Sequence, residues 1–290
     1  MQSSSNFILN RFFTKNMIKS LINECPDAYY FAVLRQYINN FTDKNHKQII
    51  SEIYKQLKKN YRNEYFYKNT LLNKLLFGIH SPNTTTALIE VPINKSKADF
   101  ILINGKAVVY EIKTELDTFE RLDSQLHDYF KAFPNVCVVT SEENIQSIEK
   151  KLTNSNVGIY MLTTNNTLKQ IRPYLSDYSK LEHESLFKIL RKNEYENIIN
   201  HVYNKLPKVS DFEYYAECKK LFKQIDIIEA YNMSISEFKK RNKIDVNLIK
   251  NVPVELKSIM YFSKFKKDDF IKLNNFLSKG VSINDVFSIS

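Results

Sequence analysis

The chain has 290 residues, 43% of them hydrophobic and 26% charged, with a formal charge of +10. That length buries one large core or two modest ones, and no apolar run approaches the roughly 18–20 residues that span a bilayer, so no membrane partner is expected. Three cysteines (Cys25, Cys137, Cys218) without metal-ligand spacing exclude a disulfide scaffold or a zinc cluster and fit reduced thiols. The N-terminal MQSSSNFILNRFF lacks the apolar core and cleavage site of a signal peptide, so the expected location is cytoplasmic.

The charge is uneven. Residues 1–80 carry twelve basic and five acidic side chains (+7), residues 81–175 carry ten and eleven (−1), and residues 176–290 carry twenty and sixteen (+4). A nuclease needs acidic groups for metal amid basic groups for phosphate. Charge alone fits a lysine-solubilised protein equally well.

Residues 6–41 predict two helical pieces broken at Cys25-Pro26-Asp27. Residues 46–79 predict one long helix or two close ones, with Ile49, Ile50, Ile53 and Leu57 on one face and Glu64 in the second half. Strands follow at 87–93, 98–103 and 107–113. Next come a helix at 118–133, a strand at 135–140, a helix at 142–152 and a strand at 157–163. The nearly all-apolar later strands point to a sheet covered by helices on both faces. After Pro173 the pattern is helical, with basic clusters at Lys188/Arg191/Lys192, Lys219/Lys220/Lys223, Lys239/Lys240/Arg241/Lys243 and Lys264/Lys266/Lys267. The expected division is a helical extension (1–45), an α/β core (46–170) and a helical C-terminal region (171–290).

Asp99 opens the second strand, and Glu111 and Lys113 close the third. To share a metal, Asp99 and Glu111 must face the same side, and register decides this because side chains alternate along a strand. A two-residue Asn104-Gly105 loop makes paired numbers sum to 209 and puts them on opposite sides. A three-residue loop over 103–105, with Gly105 in the left-handed position, gives a sum of 208 and one shared side with Val109 and Lys113. The site therefore requires a bulged turn or a kinked strand.

Two carboxylates at adjoining strand ends suit a hard divalent cation, Mg²⁺ or Mn²⁺, with the Ile112 carbonyl as a further ligand and Glu64 as a direct or water-bridged one. Lys113 would orient an attacking water or stabilise charge on phosphate. Gln125 and Tyr129, four apart on the next helix, would contact substrate or brace Lys113, and Arg121 would meet a phosphate. Glu-x-Lys alone says little, since it also begins at Glu149, Glu217, Glu237 and Glu255. Only the copy at Glu111 ends a strand-like run after an aspartate-opened strand. His46, His80, His127, His183 and His201 show no metal spacing, and no Ser/His/Asp grouping or phosphate-cradling glycine loop is visible.

KADFILINGKAVVYEIK followed by QLHDY resembles the PD-(D/E)XK nuclease superfamily, and the Q-x-x-x-Y helix motif is similar to its RecB-like branch. The resemblance implies a restriction-endonuclease-like αβββαβ core, a mixed sheet flanked by helices, with helical N- and C-terminal extensions. It places Asp99, Glu111 and Lys113 in the catalytic positions and Gln125 and Tyr129 in the helix pair, while Glu64 matches the first-helix acidic position less securely. Ala98 stands where the superfamily's name has proline. The match covers about a third of the chain, and the whole also looks like uncharacterised bacterial and phage-borne members, some tied to defence or mobile elements. The expected function is metal-dependent hydrolysis of nucleic acid, DNA ahead of RNA, with a second copy or a regulatory protein as further partners. The alternatives are a non-catalytic nucleic-acid- or partner-binding module on the same fold, and a helical interaction protein carrying a chance motif.

Overall fold

The structure, a computed structural model, describes residues 8–41, 43–242, 244–282 and 286. The first two residues of the expected N-terminal helix and Lys243 of the third basic cluster lie outside them. The chain forms two compact units, one from Met1–Pro82 with Ile244–Ser290 and one from Asn83–Lys243. These boundaries differ from the expected 45/46 and 170/171.

The first unit is helical. Its N-terminal part holds α1 (Lys15–Ile22), α2 (Ala28–Tyr37), α3 (His46–Asn60) and α4 (Glu64–Leu71), which runs on as a wider π-type helix over Leu72–Ile79. The apolar stripe of α3 is buried as its spacing predicts. Between α3 and α4 the chain breaks at Asn63, whose side chain accepts from the Phe66 N–H and starts a new helix. The C-terminal segment returns to this unit. Tyr65 donates its hydroxyl to the Glu255 carbonyl at 2.5 Å, and Asn69 bonds the Val254 carbonyl and the Ser258 N–H, both at 3.0 Å.

The second unit is a mixed α/β structure built on six strands in sequential order: β1 (Thr86–Ile93), β2 (Ser96–Asn104), β3 (Lys106–Lys113), β4 (Val136–Ser141), β5 (Gly158–Leu162) and β6 (Leu168–Arg172). Pairing is antiparallel from β1 to β3, parallel from β3 to β5 and antiparallel to β6. The parallel steps need crossovers, which α5 (Leu122–Phe130) and α6 (Ile145–Lys151) supply. β6 was not expected because its sequence, LKQIR, is a mostly exposed edge. Among the described residues a short 3-10 turn (Tyr178–Lys180) and four further α-helices follow: α7 (His183–Ile189), α8 (Lys192–Tyr203), α9 (Asp211–Lys223) and α10 (Ile227–Lys239).

One apolar cluster joins Ile101, Ile103, Ala107 and Val109 of the sheet to Leu122, Leu126, Tyr129 and Phe130 of α5. The same cluster includes Phe187, Ile198, Phe222 and Phe238 from α7 to α10. The helices after Pro173 up to residue 239 are thus part of the α/β unit's core and not a separate appendage. On the opposite face Tyr110 packs its ring edge-on against Phe100 (6.1 Å) and Tyr160 (5.7 Å). Among the described residues, no helix is long and apolar enough to cross a membrane.

Candidate functional site

The site is built at the open end of the β2–β3 hairpin. Paired numbers in this hairpin sum to 210, from Asn104↔Lys106 at the turn to Phe100↔Tyr110, with Gly105 at the tip at φ +70°. Neither expected sum occurs, and β2–β3 pairing shows no bulge. The tight left-handed tip leaves an even sum, so the residues of β2 and β3 nearest the site keep the parity that places 99 and 111 on one side.

Regular pairing stops at Phe100↔Tyr110. Beyond it the Asp99 carboxylate takes the place of a ladder carbonyl and accepts from the Ile112 N–H at 2.8 Å. A side chain here closes a backbone donor that would otherwise be stranded as the strands part. β1 is also distorted at this level. Ile89↔Phe100 and Val91↔Ala98 pair on either side, and Glu90 between them has a left-handed φ of 55°. That conformation costs a non-glycine residue roughly 1–2 kcal/mol. Carboxylate oxygens of Glu90 and Asp99 lie within 4.8 Å of each other, and Glu90 also forms an ion pair with Lys97.

Glu111 and Lys113 are two apart on β3 and project from the same side. Glu111 is 1% exposed and Lys113 7%. Such burial is tolerable only where each charge is matched. Glu111 Oε1 sits 3.0 Å from Lys113 Nζ, and Lys113 Nζ donates to Gln125 Oε1 at 2.9 Å. The Tyr129 hydroxyl donates to Glu111 Oε2 at 2.6 Å, with the Lys97 carbonyl 2.9 Å from the same hydroxyl. Burial pushes the Tyr129 phenol well above its usual range, and the charge and hydrogen bond of Glu111 and the charge of Asp99 add to this. It stays a proton donor at any physiological pH.

Helix α5 delivers Gln125 and Tyr129 together because they lie one turn apart while Leu122, Leu126 and Phe130 anchor the helix in the core. Ser96 of β2 donates to Asp128 of α5 at 2.7 Å, fixing the helix across the hairpin's open end. The backbone after Lys113 is pinned as well. Thr140 Oγ1 donates to the Lys113 carbonyl at 2.9 Å, Asn144 Nδ2 donates to the Thr114 carbonyl at 2.9 Å, and the Asp117 carboxylate accepts from the Thr114 N–H at 2.8 Å.

The structure therefore gathers Asp99, Glu111, Lys113, Gln125 and Tyr129. Ile112 joins them through its N–H. Arg121 is the exposed residue that opens α5, and its carbonyl accepts from the Gln125 N–H at 3.0 Å, one turn before Gln125. Glu64 belongs to the other unit, exposed in the first turn of α4 and ion-paired with Lys68 one turn on. Sequence reasoning missed Glu90, and the available signal was a carboxylate inside the apolar run ALIEV. It also missed Thr140 and Asn144, which no spacing rule singles out.

The Asp99 and Glu90 carboxylates, within 4.8 Å of each other, are oxygen ligands of the kind a hard divalent cation takes, whereas Glu111, with its oxygens on Lys113 and Tyr129, lies outside that carboxylate group.

Fold and site define a mixed α/β protein with a buried, hydrogen-bonded glutamate–lysine pair at a parted hairpin end. Residues 57–267 match the family model of bacteriophage P4 protein cII, and the chain belongs to that family. Protein cII of Enterobacteria phage P4 is 31% identical over 71 residues, 24% of this chain. The match spans only about a quarter (26%) of that relative's length. No solved structure matches the chain.

Proposed function

We propose that this protein is a Mg²⁺- or Mn²⁺-dependent nuclease that hydrolyses phosphodiester bonds in nucleic acid, DNA ahead of RNA, on a restriction-endonuclease-like core of the PD-(D/E)XK type. One observation carries the reading: five residues spread over thirty-one positions, Asp99, Glu111, Lys113, Gln125 and Tyr129, form one connected group. Support also comes from the order of strands β1 to β3, helix α5 and strand β4. Family membership with a phage protein favours a role in mobile-element or phage-defence biology, carried out in the cytoplasm.

When bound, the cation would acidify a water and polarise the scissile phosphate. Asp99 and Glu90 would hold it, and Glu111, held by Lys113 and Tyr129, is the further carboxylate of the motif. Lys113 commits two ammonium hydrogens to Glu111 and Gln125, which aim a third at a substrate oxygen, where its charge stabilises the charge that builds on phosphate. Gln125 is then a positioning residue for Lys113, and Tyr129 is one for Glu111. A second reading, a binding module without cleavage, draws on a specific feature, that both oxygens of Glu111 already have partners.

The test is cleavage of linear duplex, plasmid, single-stranded DNA and RNA with Mg²⁺ or Mn²⁺, beside Asp99→Ala and Lys113→Ala. Cleavage by the unaltered chain that EDTA and both substitutions abolish is the expected result. Salt-sensitive binding without cleavage of any substrate would favour the binding module.

A further inference from the structure

Helix α9 carries an outward stripe that the site does not use. Phe212, Tyr215, Lys219 and Lys223 follow one another at spacings of three and four residues, so they share one side of the helix. Phe212 is 96% exposed and Tyr215 47%. An apolar ring left almost wholly in water stabilises nothing in the folded chain. Tyr215 is backed by Phe187 (centroids 5.2 Å) and Tyr195 (6.1 Å), which hold its ring in place. At the other end of the stripe, three lysines gather round one exposed carboxylate. Lys219 and Lys223 of α9 and Lys188 of α7 stand 3.8, 3.3 and 3.3 Å from Glu184. Three ammonium groups against one carboxylate leave a net positive spot, and their hydrogen bonds and charges hold the Glu184 carboxyl below the usual range.

We infer that this stripe is a docking surface for single-stranded nucleic acid, with bases stacking on Phe212 and Tyr215 and phosphates replacing Glu184 among Lys188, Lys219 and Lys223. The chemistry selects single strands. An exposed ring can stack only on a base that is not already inside a duplex, and lysines spaced along the same helix side suit a flexible phosphate backbone. An acidic peptide would satisfy the lysines and leave Phe212 unexplained. A second copy of an apolar surface would be repelled by the three lysines. The inference rests on the nucleic-acid reading given above but not on cleavage.

The test is fluorescence anisotropy of the full chain with a labelled oligothymidylate and with a duplex of equal length, in EDTA so that nothing is cut. Binding by the unaltered chain checks the nucleic-acid reading, and the variants check the stripe. Phe212→Ala, which removes a ring that packs against nothing, is expected to weaken single-strand binding about 5-fold or more and leave duplex binding unchanged. Lys219→Gln with Lys223→Gln should flatten the single-strand salt dependence by about 1.4 in log–log slope, at roughly 0.7 per lost contact. Glu184→Gln should tighten binding by removing the competing carboxylate. Unchanged single-strand affinity in Phe212→Ala, or equal losses on single strand and duplex, would overturn the inference, even if duplex binding and cleavage were intact.

Discussion

The two ends of the β2–β3 hairpin are made from the same two strands and solve opposite problems. At the closed end, Ile101, Ile103, Ala107 and Val109 face the helices, pairing is continuous, and a single left-handed glycine turns the chain. At the open end the ladder stops, a carboxylate side chain satisfies a backbone N–H, and a glutamate and a lysine are buried side by side. The closed end draws its stability from area removed from water. The open end holds together only while its buried charges keep their partners.

The comparison breaks most visibly at Glu111. Glu111→Ala leaves the Lys113 ammonium buried without its counter-charge and is expected to cost about 3–5 kcal/mol in denaturant unfolding, along with any cleavage activity. Ile101→Ala, at the closed end, is expected to cost about 2–5 kcal/mol through the cavity it leaves. Its cleavage rate per folded molecule should match the unaltered chain's, because no site residue loses a partner. Those two variants separate a stability loss that carries function with it from one that does not.

Tyr129→Phe is a smaller change at the open end. It removes one donor to Glu111 and should cost about 1–3 kcal/mol. The pH dependence follows from the sign of the shift. The folded-state phenol titrates above its ordinary value near 10, so its contribution is fully present below pH 10 and is lost as pH rises toward the folded value. Stability measured from pH 9 upward should fall less steeply in Tyr129→Phe than in the unaltered chain. The smallest effect is expected at the turn: Gly105→Ala meets no atom within 4 Å but must keep φ near +70°, a cost of about 1 kcal/mol with cleavage unchanged.

The strands and the five gathered residues were legible because period-two alternation and i, i+4 spacing are local properties. The turn was less so. The Asn-Gly pair points to a two-residue loop, whereas pairing of Asn104 with Lys106 leaves Gly105 alone at the tip, a choice made by the packing of both strands and not by the dipeptide. The helices after Pro173 were recognisable as helices, but an amphipathic face does not say which core receives it. Phe187 and Phe238 join the sheet's core, while Leu256 and Ile259 are buried in a segment that belongs to the other unit. Glu90 was hidden because its place beside Asp99 depends on a backbone distortion in β1, and no propensity scale marks it.

The most direct test is the rate of Mg²⁺-dependent DNA cleavage by Lys113→Met beside the unaltered chain, at matched folded fraction and with DNA binding measured in parallel. The account predicts a fall of at least about 100-fold with DNA still bound. Equal rates in the two proteins would contradict it and remove the buried Glu111–Lys113 pair from the chemistry.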